Sequence, residues 1–173
     1  MECVAKLIGI ACVAVPLAAP ADTPLRPPEI HRVCNLNVTF CAELDPSSDA
    51  IVYRVGAKFS ATEEYRIPSW HRSAFLSPDG MYFASGYSGL NLLNLDDATE
   101  STVVLRLWKH GQPHMNVTLG QVLQSMSSLK RTVSHFAWGR NMGFWLDGRF
   151  EIETIEGRRV FVDPTAKTVK IDG

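Results

Sequence analysis

Hydrophobic and polar positions fall into short runs punctuated by turn residues. In residues 73–95 (SAFLSPDGMYFASGYSGLNLLNL) Ser77-Pro78-Asp79-Gly80 joins two apolar runs, and a third follows Tyr87-Ser88-Gly89. Pro78 presets φ for the first central turn position, Asp79 can bond its own backbone, and Gly80 accepts a positive φ. Phe75, Tyr82, Phe83, Leu90, Leu92, Leu93 and Leu95 are strand-compatible and core-seeking. The stretch predicts a meander of three short antiparallel strands, around which the rest of the chain is arranged.

The same punctuation continues on both sides. Residues 50–59 (AIVYRVGAKF) set Ile51, Tyr53 and Val55 against Val52 and Arg54, a strand weakened at Gly56. Residues 63–67 add a short strand before Pro68, and residues 102–108 (TVVLRLW) form the strongest strand pattern in the chain. Residues 114–118 return after a turn at 109–113. The period then changes: Leu119, Val122, Leu123, Met126 and Leu129 fall at helical spacing. Thr118 with Gln121 fits a capping box, so the spacing predicts one short amphipathic helix over 119–129. Strands resume at 133–138, 143–146, 150–155, 159–162 and 167–171, separated by Asp-Gly, Glu-Gly and Asp-Pro turns.

Residues 75–95 resemble a blade of the TolB-type and WD-type β-propellers, whose repeats carry an SPDG turn, a strand, a small-residue break and a strand ending in an acidic turn. A weaker echo runs from Phe144 through Asp147-Gly148 to Asp163. Closure of a propeller takes about four blades of roughly 40 residues, more than this chain offers beside its leader, loop and helix. The expected fold is therefore mainly β: two antiparallel blade-like sheets packed together, not a closed propeller, with the helix at one end or edge. The joint presence of WHRSAFLSPDG, GYSGLNLLNL and SSLKRTVSHFAWG also resembles a group of uncharacterised exported bacterial proteins. That resemblance implies a periplasmic or secreted location and no particular activity.

The first residues change the picture by dividing the chain. Residues 7–19 are an apolar run of secretory length, too short to span a bilayer, and Ala19-Pro20-Ala21 offers small residues for cleavage before Asp22. The predicted organisation is a signal peptide at 1–21, an extended leader at 22–49, and a single β-rich domain at 50–173. Of four cysteines, Cys34 and Cys41 lie beyond the cleavage point, and an exported chain with that pair predicts a disulfide. The formal net charge of −1 gives no electrostatic case for nucleic acid or for an anionic membrane surface. No other apolar run approaches transmembrane length, so no stable membrane insertion is expected after cleavage.

Candidate chemistry is sparse. Gly86-Tyr87-Ser88-Gly89 approaches a nucleophile elbow, but its second glycine comes one position early and a strand follows. His71, His110, His114 and His135 offer bases without a spacing that selects one. His110 and His114 are four apart across a turn, which leaves no shared helix face for a metal. Asn37-Val38-Thr39 and Asn116-Val117-Thr118 are acceptor sequons that matter only in a eukaryotic secretory pathway. No cofactor or metal is expected. Aromatic and basic residues carry more promise: Trp70-His71-Arg72 before the meander, Tyr87 within it, and Arg131, His135, Trp138 and Arg140 after the helix. Such side chains give contact area and directed hydrogen bonds. If the segments converge, they form a cationic-aromatic cleft for an unknown protein, peptide or glycan. The expected function is an exported, non-catalytic interaction module. The alternatives are a small exported serine hydrolase using Ser88 with a histidine, and an assembly protein that pairs through edge strands.

Overall fold

A computed structural model describes residues 25–56 and 60–172. The expected signal peptide at 1–21 lies outside the described residues. Strands β1 (His31–Cys34), β2 (Phe40–Leu44), β3 (Ala50–Val55) and β4 (Ala61–Ile67) make an antiparallel sheet in sequence order. The boundary expected between leader and domain thus falls between two neighbouring strands of one sheet. Cys34 lies directly opposite Cys41 across β1 and β2, and the two form a disulfide.

Strands β5 (Ala74–Leu76) and β6 (Tyr82–Gly86) flank the Ser-Pro-Asp-Gly bend. Ser77 and Asp79 close it from within. The Asp79 carboxylate accepts from Ser77 Oγ at 2.5 Å and from Met81 N at 3.0 Å. Ser77 Oγ in turn accepts from Tyr82 N at 2.9 Å. The bend is also a docking point for the first sheet. Asn35 Nδ2 donates to the Pro78 carbonyl at 2.8 Å and Tyr65 Oη to the Gly80 carbonyl at 2.7 Å.

The expected third strand of the meander, β7 (Leu92–Asn94), leaves this sheet. The chain reverses at Leu90, whose φ is 61°, and the open edge of β6 is taken by β8 (Val103–Lys109) instead. Strand β9 (Gln112–Thr118) completes the second sheet in the order β5-β6-β8-β9. Alternation along β6 and β8 then does the packing. Phe83 and Trp108 face the first sheet, joining Leu44, Val52 and Ile67 in one core. Ala84, Leu105 and Leu107 face the other way and join Phe150, Ile152, Val160 and Val162 in a second core. All five residues of β6 are buried, as a strand covered on both faces must be.

The helix is shorter than its spacing predicts. Helix α1 covers only Leu119–Val122, and Leu123 is already extended at φ −89° and ψ 145°. The cause is a competing acceptor. Backbone amides of Gln124 and Ser125 donate to the Glu156 carboxylate at 3.0 and 3.2 Å, and a 3-10 turn over Met126–Ser128 follows. The first half of the helix signal holds: Thr118 N donates to Gln121 Oε1 at 2.9 Å.

Strands β10 (Lys130–Arg131) and β11 (His135–Ala137) pair with β7 in a third sheet of order β10-β11-β7. Strands β12 (Gly139–Phe144), β13 (Phe150–Thr154), β14 (Arg159–Asp163) and β15 (Thr168–Ile171) form a fourth, again in sequence order. Among the described residues the fold is mainly β, antiparallel and unclosed with one short helix, as the pattern predicts, but with four sheets where two were expected. Among the described residues no helix is long and apolar enough to cross a membrane.

Candidate functional site

A cleft of about 940 Å³ opens where the β4–β5 connection, the β6–β7 turn and the start of β11 meet over the second sheet. Pro68 ends the strand before it by removing a ladder donor, and the connection that follows presents Trp70, His71 and Arg72 to the cleft. The β6–β7 turn adds Tyr87 and Ser88, and His135 lines the far side.

Ser85, Arg106 and Trp108 make the floor. Ser85 is paired with Arg106 across β6 and β8, and Trp108 is two residues on, so strand alternation puts all three on one face. Arg106 is exposed, and its side chain has no hydrogen-bond or ion-pair partner among the described residues. No aspartate or glutamate is among the residues lining the cleft.

His71 is wedged into the floor, its ring centroid 5.3 Å from Phe83 and 5.1 Å from Trp108. Its Nε2 lies 3.0 Å from the Pro68 carbonyl. A carbonyl only accepts, so Nε2 carries the proton and donates. Burial lowers the imidazole's pKa, the Pro68 bond opposes this, and the nearby Arg106 charge lowers it further. His71 is thus held neutral, with its donor nitrogen committed to the backbone.

Tyr87 turns its hydroxyl to Asp97 Oδ2 at 2.5 Å, and Asn94 Nδ2 donates to the same oxygen at 2.9 Å. Burial, together with the bond to Asp97, pushes the Tyr87 phenol up to about 12. The phenol therefore stays neutral and fixes the turn.

The rim is already in contact with the chain's own leader. Trp70 Nε1 donates to the Glu29 carbonyl at 3.1 Å and Arg72 Nη1 to the Arg26 carbonyl at 2.5 Å. The Arg72 guanidinium lies over the Trp70 ring, 5.1 Å from its centroid. Leu25 lines the cleft.

Five of the eight residues singled out from the sequence, Trp70, His71, Arg72, Tyr87 and His135, line this one cleft. The other three do not. Arg131 is exposed on β10, opposite Phe136. Trp138 is fully buried in the second core and donates its indole N–H to the Leu90 carbonyl at 2.9 Å. Arg140 pairs with Glu153 at 2.6 Å beside a separate hollow of about 380 Å³. The sequence pattern marks Arg106 and Trp108 only as strand residues. The signal was present: an arginine inside an apolar strand with a tryptophan two positions on.

Ser88 shares the cleft with His71 and His135. The orienting acid of a triad has no counterpart in the lining, and His135 Nδ1 sits 2.8 Å from Ser134 Oγ. His110 and His114 are engaged apart, the first against the Tyr65 ring at 5.7 Å and the second with the Pro164 carbonyl at 2.7 Å. Among the described residues no group of three or more histidine, cysteine, aspartate or glutamate side chains is placed to hold a metal ion. No protein-family model matches this chain, and no curated protein matches it either.

Proposed function

We propose that the protein is an exported, non-catalytic binding module that holds a negatively charged ligand in the cationic-aromatic cleft. One observation carries the reading: Arg72 and Arg106 line a cleft with Trp70, Trp108 and Tyr87, and no carboxylate side chain is among the lining residues. Aromatic faces supply contact area and the guanidinium forks supply directed donors. Export rests on the signal-peptide pattern at 1–21 and agrees with the Cys34–Cys41 bridge.

Calorimetric titration with two anionic probes, an oligoglutamate peptide and a heparin hexasaccharide, tests this. At least one is expected to bind, with affinity lost in the Arg72→Gln/Arg106→Gln double variant and kept in Lys170→Gln. Failure of both probes, or binding indifferent to the double variant, would refute the reading.

The hydrolase reading has one observation in its favour, Ser88 in the same cleft as two histidines. A fluorophosphonate that labels the protein and loses its target in Ser88→Ala would replace binding with acyl transfer. No labelling is expected.

A further inference from the structure

The leader is the key to what kind of anion the cleft takes. Its residues 25–30 (LRPPEI) are exposed, and none of their backbone amides or carbonyls pairs in a strand. Pro27 and Pro28 fix φ near −65° and leave extended backbone whose carbonyls are not tied up in a strand ladder, the Glu29 carbonyl lying also 3.2 Å from His31 Nδ1. Two of those carbonyls, on Arg26 and Glu29, are the acceptors for Arg72 and Trp70. Indole and guanidinium donors reaching proline-rich backbone carbonyls across an aromatic groove are a general mode of extended-peptide recognition. The rim therefore already grips a peptide, and that peptide is the chain's own.

The self-contact is incomplete. The leader satisfies the rim donors, yet Arg106 on the floor has no anionic partner among the described residues. A second peptide of the same extended form, with a carboxylate placed to reach Arg106 as the leader's own Glu29 is not, would take over the rim donors and add an ion pair with Arg106. A partner can displace an internal occupant only through such a difference in contacts.

Resting on the binding function proposed above, we infer that the ligand is an extended, proline-rich acidic peptide segment of a partner protein, which displaces the leader at Trp70 and Arg72 and pairs a carboxylate with Arg106. The leader is the intramolecular competitor for that groove.

The test is fluorescence anisotropy with labelled (Glu-Pro)4 and (Gln-Pro)4 peptides and a labelled heparin hexasaccharide. Wild type is expected to bind (Glu-Pro)4 at least about tenfold more tightly than (Gln-Pro)4, the scale of a charge-assisted pair. Arg106→Gln, at an exposed position, should remove most of that preference, and Trp70→Phe should weaken both peptides. Pro27→Gly/Pro28→Gly loosens the competitor and should tighten (Glu-Pro)4 by about threefold or more. Binding of the hexasaccharide alone, dependent on Arg106, would overturn the peptide assignment and leave the cleft's binding role standing. Binding of none of the probes would overturn both. Unchanged (Glu-Pro)4 affinity in Arg106→Gln, or in the double glycine variant, would overturn the displacement scheme.

Discussion

Gly80→Ala probes the bend on which the first two sheets meet. Gly80 has φ +72°, a region that costs a residue with a Cβ about 1–2 kcal/mol. A Cβ there would also lie 2.4 Å from the nearest ring carbon of Phe40. Phe40 packs against the core between the first and second sheets, so moving its ring is an overpacking cost of about 1–3 kcal/mol. Together the two effects predict a loss of about 2–5 kcal/mol, a large share of the 5–15 kcal/mol typical of a domain. Gly148 supplies the control. It sits in the Asp-Gly turn at φ +83° with nothing within 4 Å of a built Cβ, so Gly148→Ala should lose only the conformational part, about 1–2 kcal/mol. Urea unfolding followed by tryptophan fluorescence measures both. With a slope of about 1–3 kcal/mol per molar, the midpoint of Gly80→Ala should fall clearly further than that of Gly148→Ala. Equal shifts would mean that the Phe40 contact carries no weight and that the bend is not where the sheets lock together.

Cys34→Ser/Cys41→Ser opens a short closed loop and should lower stability by about 2.5 kcal/mol, read as a matching shift on addition of reductant to wild type. Glu156 is a second staple: its side chain is 12% exposed and accepts from Gln124 N, Ser125 N, Ser128 Oγ and Arg158 Nη1. Burial pushes this carboxyl up, but the bonds from Ser128, Gln124, Ser125 and Arg158 outweigh it and leave its pKa below the ordinary 4.5. A lowered folded pKa means its stabilisation is complete above about pH 4.5 and fades as the pH falls through the folded value. Glu156→Gln should therefore cost about 2–3 kcal/mol at pH 7, and the gap to wild type should narrow below pH 4.5 in acid-unfolding curves. A gap that stayed constant down to pH 3 would contradict this.

Local chemistry was legible in the sequence where it is local. The Ser-Pro-Asp-Gly bend, the TVVLRLW strand, the cysteine pair and the Thr118 capping contact each depend on residues a few positions apart. Long-range competition was not. Strand β7 has the composition of a third meander strand, but β8 is the better partner for β6, and that choice is made across some twenty residues of chain. The spacing predicts a longer helix than forms because the amphipathic pattern continues past Leu123, while the acceptor that ends it, Glu156, lies in a turn more than thirty positions on. The site divided in the same way. Trp70, His71 and Arg72 were visible as a cluster on one connection. Trp138 looks like its neighbours in sequence but points into the core, and Arg106 was hidden by the strand that carries it.

The central claim is that one cleft, built from the Trp70–Arg72 connection and the β8 floor, holds an anionic peptide. Titrating (Glu-Pro)4 into 15N-labelled protein and following backbone amide shifts tests it most directly. The account predicts changes concentrated at 25–26, 29–30, 69–73, 85–89, 106–108 and 134–135. Changes centred on the hollow beside Arg140 and Glu153, or spread evenly over the surface, would contradict it.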